Sequence, residues 1–356
     1  MAFIQGSRRI GDIAKINIGS AIIATIITIA FYYYQGLHGI VPALVISAAI
    51  QILISWHYAR RLPVPYVNMS WQESFKEAGS MVKLGIAMMW TSLLSSLVSY
   101  FTVNTISHQF GVQAIGIYSA AFGLSSVFVS FILQAMGTDY YPRLVGLAGD
   151  NNMMNKMVNE QMEIGLLIAV PGVLVMFLFA PQIIQVFYSN EFISATDLLR
   201  WCVLGCMGRV VSWPMGYIML AMGKAKTLLI SETLMYMLHA IMICAAVYLY
   251  GLDGFGVAFF VLYMVHGVVV YFIAVSLVGF RLMSEVMILI SGVVITFAGL
   301  FFLVDNYESF WVNINGSVIV IVVSLIAFRM LVFRIMSGDK VLSDIENISH
   351  KKYLKY

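Results

Sequence analysis

The chain has 356 residues, of which 61% are hydrophobic and only 10% are charged, and its mean hydropathy is +0.91. A soluble domain carries about 25% charged residues, so this composition excludes an ordinary soluble protein and predicts a surface that faces lipid. The net charge of +3 is small and gives no indication of a nucleic-acid partner.

Ten segments of the sequence are long and apolar enough to cross a membrane, which takes about 20 predominantly apolar residues. These runs are continuous, whereas the strands of a membrane barrel alternate between apolar and polar residues. The sequence therefore predicts an all-α polytopic membrane protein with ten transmembrane helices. The predicted spans are 14–34, 39–58, 81–105, 113–136, 161–180, 197–222, 227–250, 254–278, 284–304 and 314–335.

Lys and Arg are distributed unevenly between the two sets of connections. Of the twenty basic residues, all but Arg200 and Arg209 lie in one set of connections or at helix ends beside it. Cytoplasmic loops are enriched in Lys and Arg, so this set, and with it both ends of the chain, is predicted to be cytoplasmic. The cytoplasmic set is 1–13, 59–80, 137–160, 223–226, 279–283 and 336–356. The outer set contains no Lys or Arg and is 35–38, 106–112, 181–196, 251–253 and 305–313.

Two of the predicted cytoplasmic connections are long. Segment 59–80 has a basic start, two prolines and a short amphipathic stretch, which is typical of a linker between helical bundles. Segment 137–160 is polar and contains a Pro-Arg corner. The tail from 336 ends in three basic residues, Lys351, Lys352 and Lys355. These lysines either contact anionic lipid headgroups or are simply solvated.

Five phrases resemble, in their order and spacing, the Wzx-type oligosaccharide flippases, a polysaccharide transporter family in the superfamily that also holds the MATE drug exporters and the lipid II flippases. No single phrase is as specific as a nucleotide-binding loop, so the resemblance rests on the series. The phrases are IQGSRRIGDIAKINIGSAI at 4–22, GIYSAAFGLSSVFVSFILQAMGTDYYPRL at 116–144, VNEQMEIGLLIAVPG at 158–172, FYSNEFISATDLLRWCVLGCMGRVVSWPMGYIMLAMGKAKTLLISE at 187–232 and GLDGFGVAFFVLYMVH at 251–266.

The resemblance implies a MATE/lipid-flippase-like two-lobe bundle around a central cavity. In this chain the N-terminal lobe is expected to be incomplete and to lack the first four helices of the family, since removing an even number of spans keeps the same orientation. The implied domains are the last two helices of the N-terminal lobe (1–58), a cytoplasmic interlobe linker (59–80), a six-helix C-terminal lobe (81–278), an additional helix pair (279–335) and a cytoplasmic tail (336–356).

Arg209 is the clearest candidate for a functional side chain. It lies about midway along the span 197–222, near Pro214, and a charge inside the bilayer usually faces a cavity or a partner. Arginine can hold diphosphate oxygens with paired hydrogen bonds, so Arg209 either binds an anionic headgroup or is a structural arginine paired with a carboxylate or carbonyls. Arg200 lies nine residues earlier, on nearly the opposite side of the helix, and is predicted to snorkel to water or pair with Asp197.

Glu232 and His239 are candidates for a proton- or ion-coupling site. They lie seven residues apart on the span 227–250 and therefore share one helix face. Histidine changes its charge in the physiological range, which suits it to such a site. The alternative for His239 is a hydrogen bond between helices, and His266 in the next span has the same two interpretations.

Polar stripes on two predicted spans either line a wet cavity or allow close approach of helices. Because the resemblance places both spans beside the central cavity, we interpret them as cavity-lining. The candidates for contact with the substrate are Ser92, Ser96 and Ser99 on one span and Ser126, Ser130 and Gln134 on the other.

A gate ion pair is predicted where the segment TDYYPR meets the cytoplasmic membrane boundary. The carboxylate would come from Asp139 or Glu163 and the cation from Arg143 or Lys156. The two tyrosines of the segment suit a membrane interface in any case.

The resemblance implies a translocase that moves a polyprenyl-diphosphate-linked oligosaccharide, such as an O-antigen repeat unit, across the bacterial inner membrane by alternating access. Its partners would be that substrate, membrane lipids and other membrane proteins of polysaccharide assembly, and no cofactor or metal is predicted. The alternatives are a MATE-like exporter of small molecules, which would need cavity carboxylates, and a truncated, non-functional flippase remnant. An enzyme is disfavoured, because no catalytic set lies in any loop and the longest outer connection, 181–196, has no His, Lys or Arg.

Overall fold

The computed structural model describes residues 9–61, 70–307 and 309–353, and nearly all of these residues are helical. Turns and short 3-10 helices connect the α-helices. The α-helices are α1 Ile10–Gln35, α2 Ile40–Ala59, α3 Trp71–Phe110, α4 Val112–Gly146, α5 Asn151–Leu178, α6 Ala180–Phe187, α7 Thr196–Ala221, α8 Ala225–Tyr250, α9 Gly254–Val278, α10 Ser284–Asn306 and α11 Ser309–Tyr353.

Eight helical stretches of the described residues are long and apolar enough to cross a membrane. Two of them, Gly11–Ala59 and Ala225–Val278, contain 49 and 54 residues, and each includes two α-helices joined by a 3-10 turn. The prediction of an all-α membrane protein is therefore confirmed. The number of ten spans and the orientation of the two ends stay predictions.

Several helices continue beyond the predicted spans. The polar segment 137–160 is not a loop but the ends of α4 and α5, which are joined by a short turn. Gly149 adopts a φ of +113° there, and the Asp150 carboxylate caps α5 by accepting the N–H groups of Asn152 and Met153 at 3.1 and 3.0 Å. A helix ends at its cap rather than where the hydrocarbon ends, so hydropathy placed these helix ends incorrectly. In the same way, α11 runs through much of the predicted tail.

The predicted linker 59–80 lies partly outside the described residues, which resume at Ser70. There Ser70 and Glu73 form a capping box that begins α3. The Ser70 N–H and hydroxyl donate to the Glu73 carboxylate at 3.0 and 2.9 Å, and the Glu73 N–H donates to the Ser70 hydroxyl at 3.3 Å. These bonds, that of the Ser70 backbone first, lower the pKa of the exposed Glu73 carboxyl. Part of the amphipathic stretch in the predicted linker is thus the first turn of a helix.

The chain divides into two compact units, one formed by 1–79 with 135–146 and the other by 80–134 with 147–356. In the first unit, α1 and α2 form a helix pair connected by a 3-10 turn. Ile13 and Ile16 of α1 are buried there against Ile54 and Tyr58 of α2. The domain boundaries implied by the resemblance stay predictions.

The second unit is built around the close contact of α7 with α9. Gly205 and Gly208 of α7 face α9 so closely that a Cβ at either position would overlap the side chains of Phe259 or Met264. Small residues at such contacts let membrane helices approach closely, and this packing replaces the hydrophobic force that is absent in lipid. This contact fixes the separation of α7 and α9, the helices that carry Arg209 and His266.

Helices α10 and α11 also belong to the second unit and pack against α5. Phe177 of α5 contacts Phe297 of α10 edge-on, with ring centroids 5.5 Å apart. Asn159 of α5 fixes the connection between α9 and α10, because its amide donates to the Arg281 carbonyl at 3.0 Å and accepts the Met283 N–H at 2.9 Å. The additional helix pair is thereby tied to the helices that carry the site.

Candidate functional site

Arg209 lines two cavities, and all the residues that line them belong to the second unit. Its side chain projects from the middle of α7, and its Nη1 donates to the Ser130 hydroxyl of α4 at 3.4 Å. The predicted placement of Arg209 in a cavity agrees with this geometry. Its role in binding stays a prediction.

The larger polar cavity has a volume of about 260 Å³ and extends from Arg209 between α3, α4, α8 and α9. Hydroxyl groups and aromatic rings dominate its lining, and Arg209 is the charged residue in it. The polar and aromatic residues that line it are Ser95, Ser99, Thr102, Tyr118, Phe122, Arg209, Tyr236, His239, Phe255, Phe259 and Tyr263.

The smaller polar cavity has a volume of about 130 Å³ and lies on the other side of Arg209. Glu232 of α8 and His266 of α9 meet there, with 3.6 Å between Oε1 and Nε2, and their side chains are 19% and 17% exposed. Tyr263 packs edge-on against the His266 ring with centroids 5.9 Å apart. The other lining residues are Ser212, Trp213, Met235, Tyr236 and Leu262.

The pairing of Glu232 with His266 was not predicted from the sequence, which favoured Glu232 with His239. His239 instead lines the larger polar cavity. Spacing along one helix identifies residues that share a face, but a pair across two helices depends on how the helices cross. The sequence feature that indicates this pair is the short connection 251–253, because it makes α8 and α9 neighbours.

Only some residues of the two predicted polar stripes lie at the cavities. Ser99 lines the larger polar cavity and Ser130 contacts Arg209, whereas the buried hydroxyl of Ser126 has no hydrogen-bond partner among the described residues. Ser92 and Ser96 donate to carbonyls of their own helix at 3.0 Å, and they lie outside the linings of the two cavities, as does Gln134. Ser95, which was not predicted, lines the larger cavity.

An apolar groove of about 450 Å³ adjoins the polar cavities between α5, α7, α9 and α10. Gly208, the residue before Arg209, lines this groove, and Tyr263 lines the groove and both polar cavities. The remaining lining is apolar apart from Tyr271 and consists of Met162, Leu166, Met207, Val211, Met215, Met264, Gly267, Val268, Tyr271, Phe272, Leu282, Ile290, Val293 and Val294.

The gate candidates take part in two separate ion pairs. Arg143 and Asp139 pair at 2.9 Å, one turn apart on α4, and both are about half exposed, so this pair contributes little. Glu163 of α5 instead pairs with Arg334 of α11 at 2.9 Å, and Glu160 lies 3.9 Å from the same guanidinium. The gate role of these residues stays a prediction.

Arg334→Glu is expected to destabilise the second unit, because it replaces the cation beside Glu160 and Glu163 with a third carboxylate, and Glu163 is only 12% exposed. Arg334 is 39% exposed, so solvent screening reduces the loss to about 1–3 kcal/mol. Thermal unfolding of the purified protein in detergent measures it. The exchanged pair Glu163→Arg with Arg334→Glu should recover part of the stability.

The matched control is Arg329→Glu, the same charge reversal at an exposed position of the same helix. It is expected to lower the unfolding temperature less than Arg334→Glu does. Equal losses in the two variants would mean that the charge of α11, rather than the contact with Glu163, sets its stability.

Comparison with known proteins adds a family assignment to this geometry. The sequence profile of the family described as "Polysaccharide biosynthesis protein" matches residues 2–197. The chain is 22% identical over 260 residues to the lipid III flippase of Escherichia coli K12, and the match covers 70% of the chain and 61% of that protein. It is 24% identical over 229 residues to a protein of Shigella flexneri described as a putative O-antigen transporter, covering 63% of the chain and 53% of that protein. The chain therefore spans about three fifths of the length of the curated relatives it matches.

Solved structures support the fold. A MATE transporter from Vibrio cholerae superposes with a TM-score of 0.64 at 18% identity, over 77% of this chain and 64% of that one. The lipid II flippase MurJ in an inward closed conformation superposes with a TM-score of 0.58 at 16% identity, over 89% of this chain and 67% of that one. At these identities the similarity concerns the arrangement of helices alone.

Proposed function

Because the chain belongs to the family of polysaccharide biosynthesis proteins, we propose that it is a flippase for a lipid-linked oligosaccharide in a bacterial inner membrane. The substrate would consist of a polyprenyl chain, a diphosphate and a short saccharide, and it would move from the cytoplasmic to the outer leaflet by alternating access. The observation that carries this proposal is Arg209, a cation at the junction of two polar cavities and next to an apolar groove.

The polar cavities suit the headgroup. A guanidinium binds phosphate oxygens through short, charge-assisted hydrogen bonds, which are strongest where water is excluded. The hydroxyls and rings of Tyr118, Tyr236 and Tyr263 line the larger polar cavity beside Arg209. Saccharide hydroxyls need such donors and acceptors, and sugar rings pack well on aromatic faces. The cavity therefore combines an anion contact with a surface suited to sugar.

The apolar groove suits the lipid. Its lining is almost wholly apolar and rich in methionine, which adapts to irregular apolar ligands. Tyr263 lines this groove and both polar cavities, so an apolar surface lies next to the cavities that contain Arg209. This combination of apolar and cationic surfaces favours a lipid-linked substrate over a small soluble one.

A second candidate function is export of small cations, as in MATE transporters, whose fold is similar. Glu232 favours it, because a carboxylate in a membrane cavity attracts a cation. His266 is already paired with Glu232, however, and Arg209 in the same cavity repels a cationic substrate. We therefore rank it second.

The test is transport by the full chain reconstituted in vesicles. The probe is a fluorescent farnesyl-diphospho-N-acetylglucosamine that a membrane-impermeant reductant bleaches only in the outer leaflet. We expect the protein to make the inner-leaflet fraction accessible several times faster than in protein-free vesicles. The matched control is farnesyl-N-acetylglucosamine without the diphosphate, which should not be accelerated, because Arg209 then has no anion to bind.

The other outcomes decide between the candidates. Accumulation of a cationic dye without movement of the lipid probe would establish the exporter and refute the flippase. Movement of neither substrate would refute both functions for this chain.

A further inference from the structure

We propose that Glu232 and His266 together form a proton-binding site whose occupancy controls the affinity of Arg209 for a diphosphate. The inference rests on the proposed function and adds proton linkage to it. It depends on the contact between α8 and α9 in the smaller polar cavity.

The pair is placed so that the Glu232 carboxylate stabilises a proton on His266. Glu232 Oε1 and His266 Nε2 are 3.6 Å apart, and both side chains are less than a fifth exposed. The other ring nitrogen of His266, Nδ1, is buried and has no hydrogen-bond partner among the described residues. In a neutral ring one of the two nitrogens carries no hydrogen and can take up a proton. Protonation turns the contact with Glu232 into an ion pair, which favours the charged ring.

The charges around the pair are few. Arg209 of α7 is the cation in the lining of the smaller polar cavity, and Glu232 is the carboxylate. Tyr236 of α8 and Tyr263 of α9 also line it, and phenols stay neutral below about pH 10. His239 of α8 lines the neighbouring cavity, which Arg209 shares.

The α3 groups found against α8 are uncharged. Trp90 donates to the Thr233 hydroxyl at 2.9 Å, and Ser95 hydrogen-bonds Tyr236. The proton on the Glu232–His266 pair is therefore the variable charge next to Arg209 in the smaller polar cavity.

The net charge of the smaller cavity then depends on one proton. Without it, the Glu232 carboxylate cancels the charge of Arg209, and with it the cavity is cationic. A diphosphate that is esterified at both ends carries two negative charges at every pH in the physiological range, so it binds the protonated form more tightly. Such coupling is reciprocal: the proton strengthens diphosphate binding, and the diphosphate strengthens proton binding by the same factor.

The experiment measures binding of farnesyl-diphospho-N-acetylglucosamine to the purified full chain between about pH 5.5 and about pH 8.5, the range in which histidine ordinarily titrates. We expect the affinity to rise by about fivefold or more toward low pH, a typical strength of coupling between two sites. We also expect binding in weakly buffered solution to take up protons.

Two variants should change the pH dependence in opposite ways. Glu232→Gln leaves Arg209 without a counter-charge, so binding at high pH should be tighter than in the wild type, a gain that misfolding cannot produce. His266→Gln removes the ring that takes up the proton, so binding should be weak at every pH. The matched control is His108→Gln, which changes an exposed histidine at the outer end of α3 and should keep the wild-type profile.

The outcomes separate the two proposals. If the wild type does not bind the probe at any pH, the proposed function fails. Binding with a pH profile that survives in both Glu232→Gln and His266→Gln overturns the proton site and leaves the proposed function intact. Loss of the profile in His239→Gln but not in His266→Gln also overturns it, because the proton would then belong to the larger polar cavity.

Discussion

Arg209→Gln is expected to lower the affinity for farnesyl-diphospho-N-acetylglucosamine by about 10- to 100-fold and to reduce its transport correspondingly. A hydrogen bond to a charged group contributes about 1.5–3 kcal/mol, and Arg209 is the cation that lines both polar cavities. Arg209→Lys should retain part of the affinity, because the charge remains but the paired donors of the guanidinium are lost. Equilibrium binding and vesicle transport measure the two effects separately.

The matched control for Arg209 is Arg200→Gln on the same helix. Arg200 faces nearly the opposite side, where Nη1 pairs with Asp197 at 2.9 Å and Nε donates to the Phe177 carbonyl at 3.3 Å. This pairing with Asp197 confirms the prediction from the sequence. Arg200→Gln should leave binding of the probe unchanged, and equal losses in the two variants would remove the case for Arg209 as the headgroup contact.

The helices could be predicted from the sequence because each apolar run must satisfy its backbone internally in lipid. The ends do not follow from hydropathy, because they depend on local hydrogen bonds. Asp150 and Ser70 begin α5 and α3 at caps within polar segments, well before the apolar runs. Both positions carry capping residues that precede a helical pattern, so the capping pattern predicts these two helix starts where hydropathy does not.

The ionisable residues of the site were predictable one by one, but their pairing was not. Arg209, Glu232 and His239 are ionisable groups inside apolar runs, and that property is visible in any sequence. The partners are not visible, because Glu232 meets His266 across a helix contact and Glu163 meets Arg334 far away in the chain. Such pairs are set by the crossing of helices, which local periodicity does not encode.

Tyr263 lies where three different environments meet, and this position relates the proposed substrate to the proposed proton site. Tyr263 lines the apolar groove, the smaller cavity with its Glu232–His266 pair, and the larger cavity with its hydroxyls. A lipid tail, a diphosphate and a saccharide need these three environments in this order. The proton on the Glu232–His266 pair would therefore affect the substrate at the diphosphate, where its charge is concentrated.

Gly205→Val is expected to destabilise the protein by about 1–3 kcal/mol, the usual penalty for extra atoms in a packed core, and to weaken diphosphate binding as well. A Cβ at position 205 would overlap the ring of Phe259 and approach the Cα of Phe260 to 3.2 Å. The ring can shift but the backbone cannot, so α7 and α9 must move apart. Arg209 and His266 lie on these two helices, and their separation would change with them. Thermal unfolding and probe binding measure the two consequences.

Gly216→Val on the same helix is the matched control, because a Cβ there meets nothing within 4 Å. Both variants place a β-branched residue in the interior of α7, so the change in helix propensity is the same and cancels in the comparison. The difference between them isolates the contact of α7 with α9. If Gly216→Val lowers stability and binding as much as Gly205→Val, the loss comes from the helix itself, and the close approach of α7 and α9 does not position the site.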